Sequence, residues 1–264
     1  MASTSQFAST LENQVDDFYT AGVKGVHQRV GIRRLVLDAI PKPLLKQIDF
    51  ELHMLLVRMR ARKAVRAYLG KTDLLVNVGA GDEGRNGWIN VDGYQAKGIT
   101  LCCDARKYLP FPDKSVKGIF SEHFFEHLDY TEEAPGFLAE AHRVLKEGGV
   151  LRLIVPDAER YLKAYVQGDW RDFAAIRPLD AQLKDPHAGV RYNTQMELIN
   201  MVFRQAQEHK FAYDFETLSL LLQRNGFQDV TKQEFGKCLD PEICLDLEVR
   251  APESLYVDAV KRSK

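Results

Sequence analysis

The residues able to do chemistry gather in three places: Asn77-Val78-Gly79-Ala80-Gly81, the acids Asp92 and Asp104, and the run Ser121-Glu122-His123-Phe-Phe-Glu126-His127. A Gly-x-Gly turn after the apolar run 74–78 lets a ligand approach the backbone, because a side chain at Gly79 or Gly81 would fill the room a ribose or carboxylate needs. Asp92 can accept both hydroxyls of a ribose, and Asp104, followed by Ala105, can accept from an exocyclic amino group; either acid could instead only cap a turn. His123 can act as a general base toward a hydroxyl, since imidazole titrates near neutral pH, or can simply pack and orient Glu122. The same run spells H-x-x-E-H, in which two histidines one helical turn apart bind zinc and the glutamate serves as base. Zinc hydrolysis needs a third protein ligand, for which His142, His187 and His209 are unranked by spacing, so no metal residue is assigned. Glu126 and His127 are expected to stabilise the following helix.

These residues need a sheet to hold them. From Asp73 onward short apolar runs alternate with helical stretches, the pattern of an α/β fold around a mostly parallel sheet. Strands are expected near 74–78, 88–91, 99–103, 116–121, 149–155, 227–235 and 254–260. Helices fit 131–146, 194–208 and 214–225, the last stopped by Asn225-Gly226. The chain of 264 residues, 45% hydrophobic, can bury one core with a satellite helical segment. We divide it into a mobile tail (1–20), a basic helical extension (21–71) and one domain (72–264) with an acceptor-binding insertion at about 157–213.

The net charge of −1 conceals 12 Lys/Arg against three Asp/Glu in residues 21–71. After a break at Pro41-Lys-Pro43, Leu52, Leu55, Leu56 and Met59 form a helical stripe that continues onto Lys63 and Arg66. Two readings stand: a helix packed on the domain with a solvated basic end, or a surface for anionic headgroups, a lipid-linked sugar or nucleic acid. Nucleic acid is disfavoured, as no RNA-binding module or interleaved aromatic and basic pattern accompanies the charge. Four cysteines without a CxxC pair, no signal-peptide pattern and no run of about 18 apolar residues predict free thiols and a cytoplasmic protein, with peripheral contact at the inner membrane face left open.

Gly79-x-Gly81-x-x-Gly84 satisfies the dinucleotide fingerprint, yet only residues 82–87 separate the glycine turn from the next strand. No crossover helix fits there to face a pyrophosphate, and Asp92 follows Gly79 by 13 residues rather than about 20. A ligand without a pyrophosphate, such as S-adenosylmethionine, would not miss that helix.

As an ordered set, Val-Asn-Val-Gly-Ala-Gly81, Gly-Trp-Ile-Asn-Val-Asp92, Asp104-Ala-Arg-Lys-Tyr-Leu-Pro-Phe-Pro-Asp113, Ser121 to Leu128 and His142-Arg-Val-Leu-Lys-Glu-Gly-Gly149 resemble the class I S-adenosylmethionine-dependent methyltransferases. The similarity is nearest to a bacterial branch with a shortened first crossover, often met in polysaccharide and glycan biosynthesis, and extends over roughly 72–262. It implies a Rossmann-like seven-stranded sheet with helices on both faces and S-adenosylmethionine as cofactor. Asn77, Val78, Gly79, Ala80, Gly81, Asp92, Asp104, Ala105, Ser121 and Glu122 would bind it. The implied reaction is in-line methyl transfer, read here as O-methylation of a sugar or glycan-related acceptor with His123 or His209 as base. An RNA or polyanion methyltransferase, a zinc peptidase and a non-catalytic cofactor binder are the alternatives. Acceptor contacts are expected from Tyr161, Tyr165, Trp170, Arg171, Arg177, His187, Arg191, Tyr192 and His209. Asn77 stands where the wider superfamily often has an acid. The oligomeric state is left open.

Overall fold

The computed structural model describes residues 41–186 and 188–262; the expectations for the tail, for 21–40 and for His187 lie outside the described residues. Five parallel strands follow the expected apolar runs: β1 (Leu74–Val78), β2 (Ile89–Asp92), β3 (Leu101–Cys102), β4 (Val116–Glu122) and β5 (Leu145–Pro156). A hairpin, β6 (Lys184–Asp185) with β7 (Val190–Arg191), lies in the insertion, and β8 (Phe227–Gln233) and β9 (Ser254–Lys261) finish the main sheet. The sheet order is β3-β2-β1-β4-β5-β9-β8, with β9 antiparallel to both neighbours. This is the Rossmann-like class I methyltransferase arrangement. Val76, Val78, Ile119, Leu151 and Leu153 form its buried centre with Phe137, Leu138 and Ala141 of α2 (Glu133–Val144). The α1 helix, Lys42–Ala64, precedes the sheet.

No helix lies between β1 and β2 or between β2 and β3, as the short spacings require. Helix α1 covers what those missing crossovers leave bare. His53 Nε2 meets the Gly93 carbonyl at 3.0 Å, Arg58 bonds Asp104, and Ala61 joins the main core. A Cβ on Gly93 would stand 2.7 Å from the Met54 methyl. The described part of the basic segment is thus built into the domain.

Its buried face is not the expected one. Met54, Val57 and Ala61 point inward, whereas Leu52, Leu55, Leu56 and Met59 are 47–61% exposed. Seated on a ligand-binding edge made largely of backbone, the helix approaches through its own i, i+3, i+7 set, and the larger side chains are left outside.

The insertion carries two helices that periodicity did not reveal, α3 (Ala158–Gln167) and α4 (Trp170–Ile176), followed by α5 (Gln195–Arg204). Thr194 and Glu197 close a reciprocal capping box at the start of α5, and Asp214 caps α6 (Phe215–Arg224) by accepting from Thr217 N at 2.8 Å. The insertion also has its own core of Tyr161, Phe173, Tyr192, Leu198 and Val202. Cys238 and Cys244 are joined in a disulfide, which corrects the expectation of four free thiols; Cys102 and Cys103 are free. A short turn at Pro241–Ile243 brings the pair together, a reversal that six-residue spacing does not advertise. Among the described residues no helix is long and apolar enough to cross a membrane.

Candidate functional site

The carboxyl ends of β1, β2, β3 and β4 bring the glycine turn, both acids and His123 to one edge, where open α/β sheets bind ligands. Gly79 N and Ala80 N both donate to the Val91 carbonyl, at 2.9 and 3.1 Å, which folds the turn onto β2. Gly79 and Gly81 hold φ of +72° and +52°, where side chains are strained. Their surroundings differ. A Cβ on Gly79 would fall 2.4 Å from the Phe124 Cβ, so the room above Gly79 belongs to Phe124, contrary to its expected use by a ligand. A Cβ on Gly81 would meet nothing within 4 Å. The open space of the turn is therefore at Gly81, not at Gly79.

Asp92 accepts from Gly81 N through Oδ2 at 3.0 Å and from Tyr94 N through Oδ1 at 2.9 Å. Each oxygen keeps a further lone pair, enough to receive a diol. Open space at Gly81 beside a half-exposed carboxylate fits the ribose end of S-adenosylmethionine. Asp92→Ala is expected to weaken S-adenosylhomocysteine binding by about 1–3 kcal/mol through lost charge-assisted hydrogen bonds, with calorimetric titration as the check. Unchanged affinity would place the ribose elsewhere.

Other expected contacts are turned inward. The Asn77 amide donates to Asn90 Oδ1 at 3.3 Å, so it ties β1 to β2 instead of facing an amino-acid group. Val78 and Ala105 are core residues. Asp104 is held by Arg106, Nε to Oδ1 at 2.8 Å and Nη2 to Oδ2 at 3.0 Å, and by Arg58 Nη1 to Oδ2 at 3.0 Å. Arg106 reaches on to Glu51 and Glu133 at 2.7 and 2.9 Å, and, against burial, Asp104 first and then these two acids hold its guanidinium above its ordinary range. A cleft of about 390 Å³ beside Asp104 has Arg58, Ala61 and Arg62 of α1 as one wall. Asp104, expected at the adenine end, thus sits in an ion-pair lattice closed by helix α1.

At the end of β4, Ser121 is fully buried and its Oγ has no partner within the protein. Burial pushes the Glu122 carboxyl up, opposed by the hydrogen bond it accepts from Leu247 N at 3.2 Å. His123 N still donates to Ile154 O at 2.8 Å, but its φ of +51° takes the side chain out of the strand register. Its Nε2 lies 2.9 Å from Ser254 Oγ and its Nδ1 3.4 Å from Glu126 Oε1.

His209, the other base candidate, arrives from the far end of the insertion with Nε2 3.9 Å from the same Glu126 oxygen. Lys210 N and Phe211 N donate to the Glu126 carbonyl at 2.8 and 3.3 Å, which fixes this approach. Burial presses Glu126 toward neutrality, but His123, His127 and His209 outweigh it and hold the carboxyl below the usual carboxylate range. Burial likewise lowers the His209 imidazole, against the pull of Glu126. The expected role of Glu126 and His127 as helix stabilisers is corrected: they form a short 3-10 turn, Phe125–His127, and α2 begins only at Glu133. His123 and His127 are accordingly not one α-helical turn apart, and the zinc-peptidase geometry is not formed.

The acceptor residues also need correction. Tyr161 donates to Glu253 at 2.8 Å, Tyr192 donates to Asp185 at 2.8 Å, and Arg177 pairs with both acids. Trp170 packs on Phe173, and Arg171 pairs with Asp169. These groups build the insertion; Tyr165 and Arg191 remain exposed. A cleft of about 550 Å³ along α3 contains none of the glycine-turn, acid or histidine residues. Four participants escaped sequence reasoning: Phe124, Arg58, Arg106 and Ser254. Only Arg106, two positions after Asp104, had a local signal.

Residues 88–153, from β2 to β5, match the family described as methyltransferase domain. Among solved structures the chain is similar to an S-adenosylmethionine-dependent methyltransferase from Archaeoglobus fulgidus, at 20% identity and TM-score 0.44, covering 84% of this chain and 100% of that one. It is also similar to a 1,6-didemethyltoxoflavin-N1-methyltransferase from Burkholderia thailandensis, at 16% identity and TM-score 0.40, covering 100% and 92%. A phosphoethanolamine N-methyltransferase 2 from Haemonchus contortus is similar at 15% identity and TM-score 0.42, covering 76% and 53%. No curated protein matches. The strand order is that of the class I methyltransferase fold, and residues 88–153 are similar to the methyltransferase domain family, whose cofactor is S-adenosylmethionine. The matched segment stops at residue 153, before the insertion.

Proposed function

We infer that the protein methylates a hydroxyl group of a small acceptor, with a sugar or glycan-related molecule as the acceptor class. The supporting observation is His123 at the carboxyl end of β4 with Glu126 Oε1 3.4 Å from Nδ1, a base beside a carboxylate that can orient it. Amine or carboxylate acceptors would need less help with a proton. S-adenosylmethionine supplies the activated methyl group. Asp92 and the open face of Gly81 hold the ribose, and Phe124 closes the floor over Gly79. His123 Nε2 takes the hydroxyl proton, a position it now shares with Ser254 Oγ at 2.9 Å. Ser254 is itself fully buried and unsuited to act as a nucleophile, so the Ser254, His123 and Glu126 alignment orients a base. Tyr165 and Arg191 are the insertion groups left to meet a sugar.

The test is transfer of labelled methyl from S-adenosylmethionine to pooled sugars, glycans, amines and RNA. His123→Gln is expected to lower kcat about a hundredfold with cofactor affinity retained. Full activity in His123→Gln, or transfer to amines alone, would overturn the hydroxyl reading.

A second reading concerns location. The exposed row Leu52, Leu55, Leu56 and Met59, on a helix that also carries Arg60 and Lys63, suits peripheral contact with an anionic membrane or lipid-linked acceptor. Salt-titrated binding to anionic vesicles and to RNA separates the partners, and preference for RNA would sink the membrane reading.

A further inference from the structure

We propose that Glu126, His127 and His209 form a binding site for a divalent transition-metal ion of the zinc type. One imidazole or carboxylate atom from each lies within 4.8 Å of the others, and His209 Nε2 to Glu126 Oε1 is already 3.9 Å. Zinc bound at about 2.0–2.2 Å from nitrogen and oxygen ligands asks for ligand separations near 3–4 Å, so small side-chain rotations complete the set.

Two features point to a cation, and a third holds the ligand segments together. The Glu126 side chain is 2% exposed; His123 Nδ1 approaches its Oε1 at 3.4 Å, and its Oε2 has no hydrogen-bond partner within the protein. A buried carboxylate with unmatched lone pairs is costly unless a cation or proton donor meets it. Both histidines are also held in the tautomer that leaves Nε2 free for a metal. His127 Nδ1 faces the Glu208 carbonyl at 3.1 Å and His209 Nδ1 faces the Val202 carbonyl. A carbonyl only accepts, so each Nδ1 must carry a proton, and in the neutral ring the lone pair is on Nε2. Imidazole ligands are commonly oriented by such a second hydrogen bond. The third feature is the backbone clamp from Lys210 N and Phe211 N onto the Glu126 carbonyl, which joins the two ligand segments before any ion arrives.

His123 is not a member of this set: its Nε2 is engaged by Ser254. Two imidazoles and a carboxylate suit zinc and its transition-metal neighbours rather than calcium or magnesium, and three protein ligands leave a position open. The partly exposed side of His127 gives the ion its route in. The other grouping of this kind among the described residues, Cys238, Cys244 and Asp246, has its thiols consumed in the disulfide.

The test uses the untagged full chain, stripped with a chelator and titrated with zinc against a chromophoric competitor, with cobalt as a spectroscopic probe. One equivalent of zinc is expected, with a cobalt absorption typical of nitrogen and oxygen ligands. Changes to groups that only hydrogen-bond a metal ligand already cost about 10–100-fold in metal affinity, so loss of a ligand itself in His127→Ala should weaken zinc binding by about a hundredfold or more. His127 is partly exposed, so this variant should keep its circular dichroism; Glu126→Gln gives a second, volume-conserving change with the same expected loss. Absence of a stoichiometric site in the wild type, or wild-type affinity in both variants, would overturn the assignment and leave a protonated imidazole as the partner of Glu126. The site does not rest on the methyl-transfer reading, and S-adenosylhomocysteine titration of the same samples reports on that separately.

Discussion

Gly79→Ala is expected to lower the unfolding free energy by about 2–5 kcal/mol, measured by denaturant titration. Two costs add. The backbone at Gly79 has φ +72°, where a residue with a side chain loses about 1–2 kcal/mol. The new methyl would also stand 2.4 Å from the Phe124 Cβ, which is fixed to its own backbone and cannot swing away as a flexible chain end would. Phe124 is further held edge-on against Phe137 at 5.7 Å, so forcing it aside adds an overpacking cost of about 1–3 kcal/mol. Adding Phe124→Gly, which removes the Cβ as well as the ring, should recover the second cost and not the first. An unchanged midpoint in Gly79→Ala would mean that Phe124 does not occupy the glycine's space. Gly81→Leu is the cleaner probe of the cofactor: its side chain enters open space, so affinity should fall further than stability.

The sheet was legible because its strands are apolar runs bounded by polar turns, and the six residues between Gly81 and Trp88 excluded a crossover helix by length alone. The glycine turn and Asp92 were legible for the same local reason. Features made by distant partners were not. His123 meets Ser254 across 131 positions and Arg58 meets Asp104 across 46, and neither pair leaves a mark in periodicity or spacing. The α1 stripe misled because hydrophobicity was read as burial. That helix packs on the Gly93 backbone and the Asp104 lattice, where Met54, Val57 and Ala61 fit and the leucines do not. Glu126 was visible within H-x-x-E-H, but a left-handed residue at His123 breaks the helix that spacing suggests, and the partner that gives Glu126 meaning, His209, closes in from the insertion. The aromatic and basic composition of the insertion, read as acceptor chemistry, mostly satisfies Asp185 and Glu253.

Asp104→Asn separates two roles that sequence could not. If Asp104 served only the adenine amino group, the substitution would cost cofactor affinity and leave the fold untouched. The geometry predicts otherwise. Its side chain is 1% exposed and that of Arg106 7%, and Oδ2 already accepts from both Arg106 and Arg58, leaving a single lone pair on Oδ1 for a ligand. The asparagine keeps the volume but removes the charge and turns an NH2 group toward one guanidinium. Breaking a buried pair in this way costs about 3–5 kcal/mol, because the remaining charge stays desolvated. Glu51 and Glu133 still hold the outer edge of Arg106, which argues for the lower part of that range. Arg58→Ala removes one contact from a side chain 28% exposed, and its loss should be smaller. Arg58 also walls the cleft beside Asp104, so that variant should change S-adenosylhomocysteine affinity more than it changes stability. Were Asp104→Asn to retain full stability while losing affinity, the lattice would be incidental and Asp104 a ligand residue alone. A loss of stability would instead make helix α1, through Arg58 and Glu51, a structural part of the cofactor pocket.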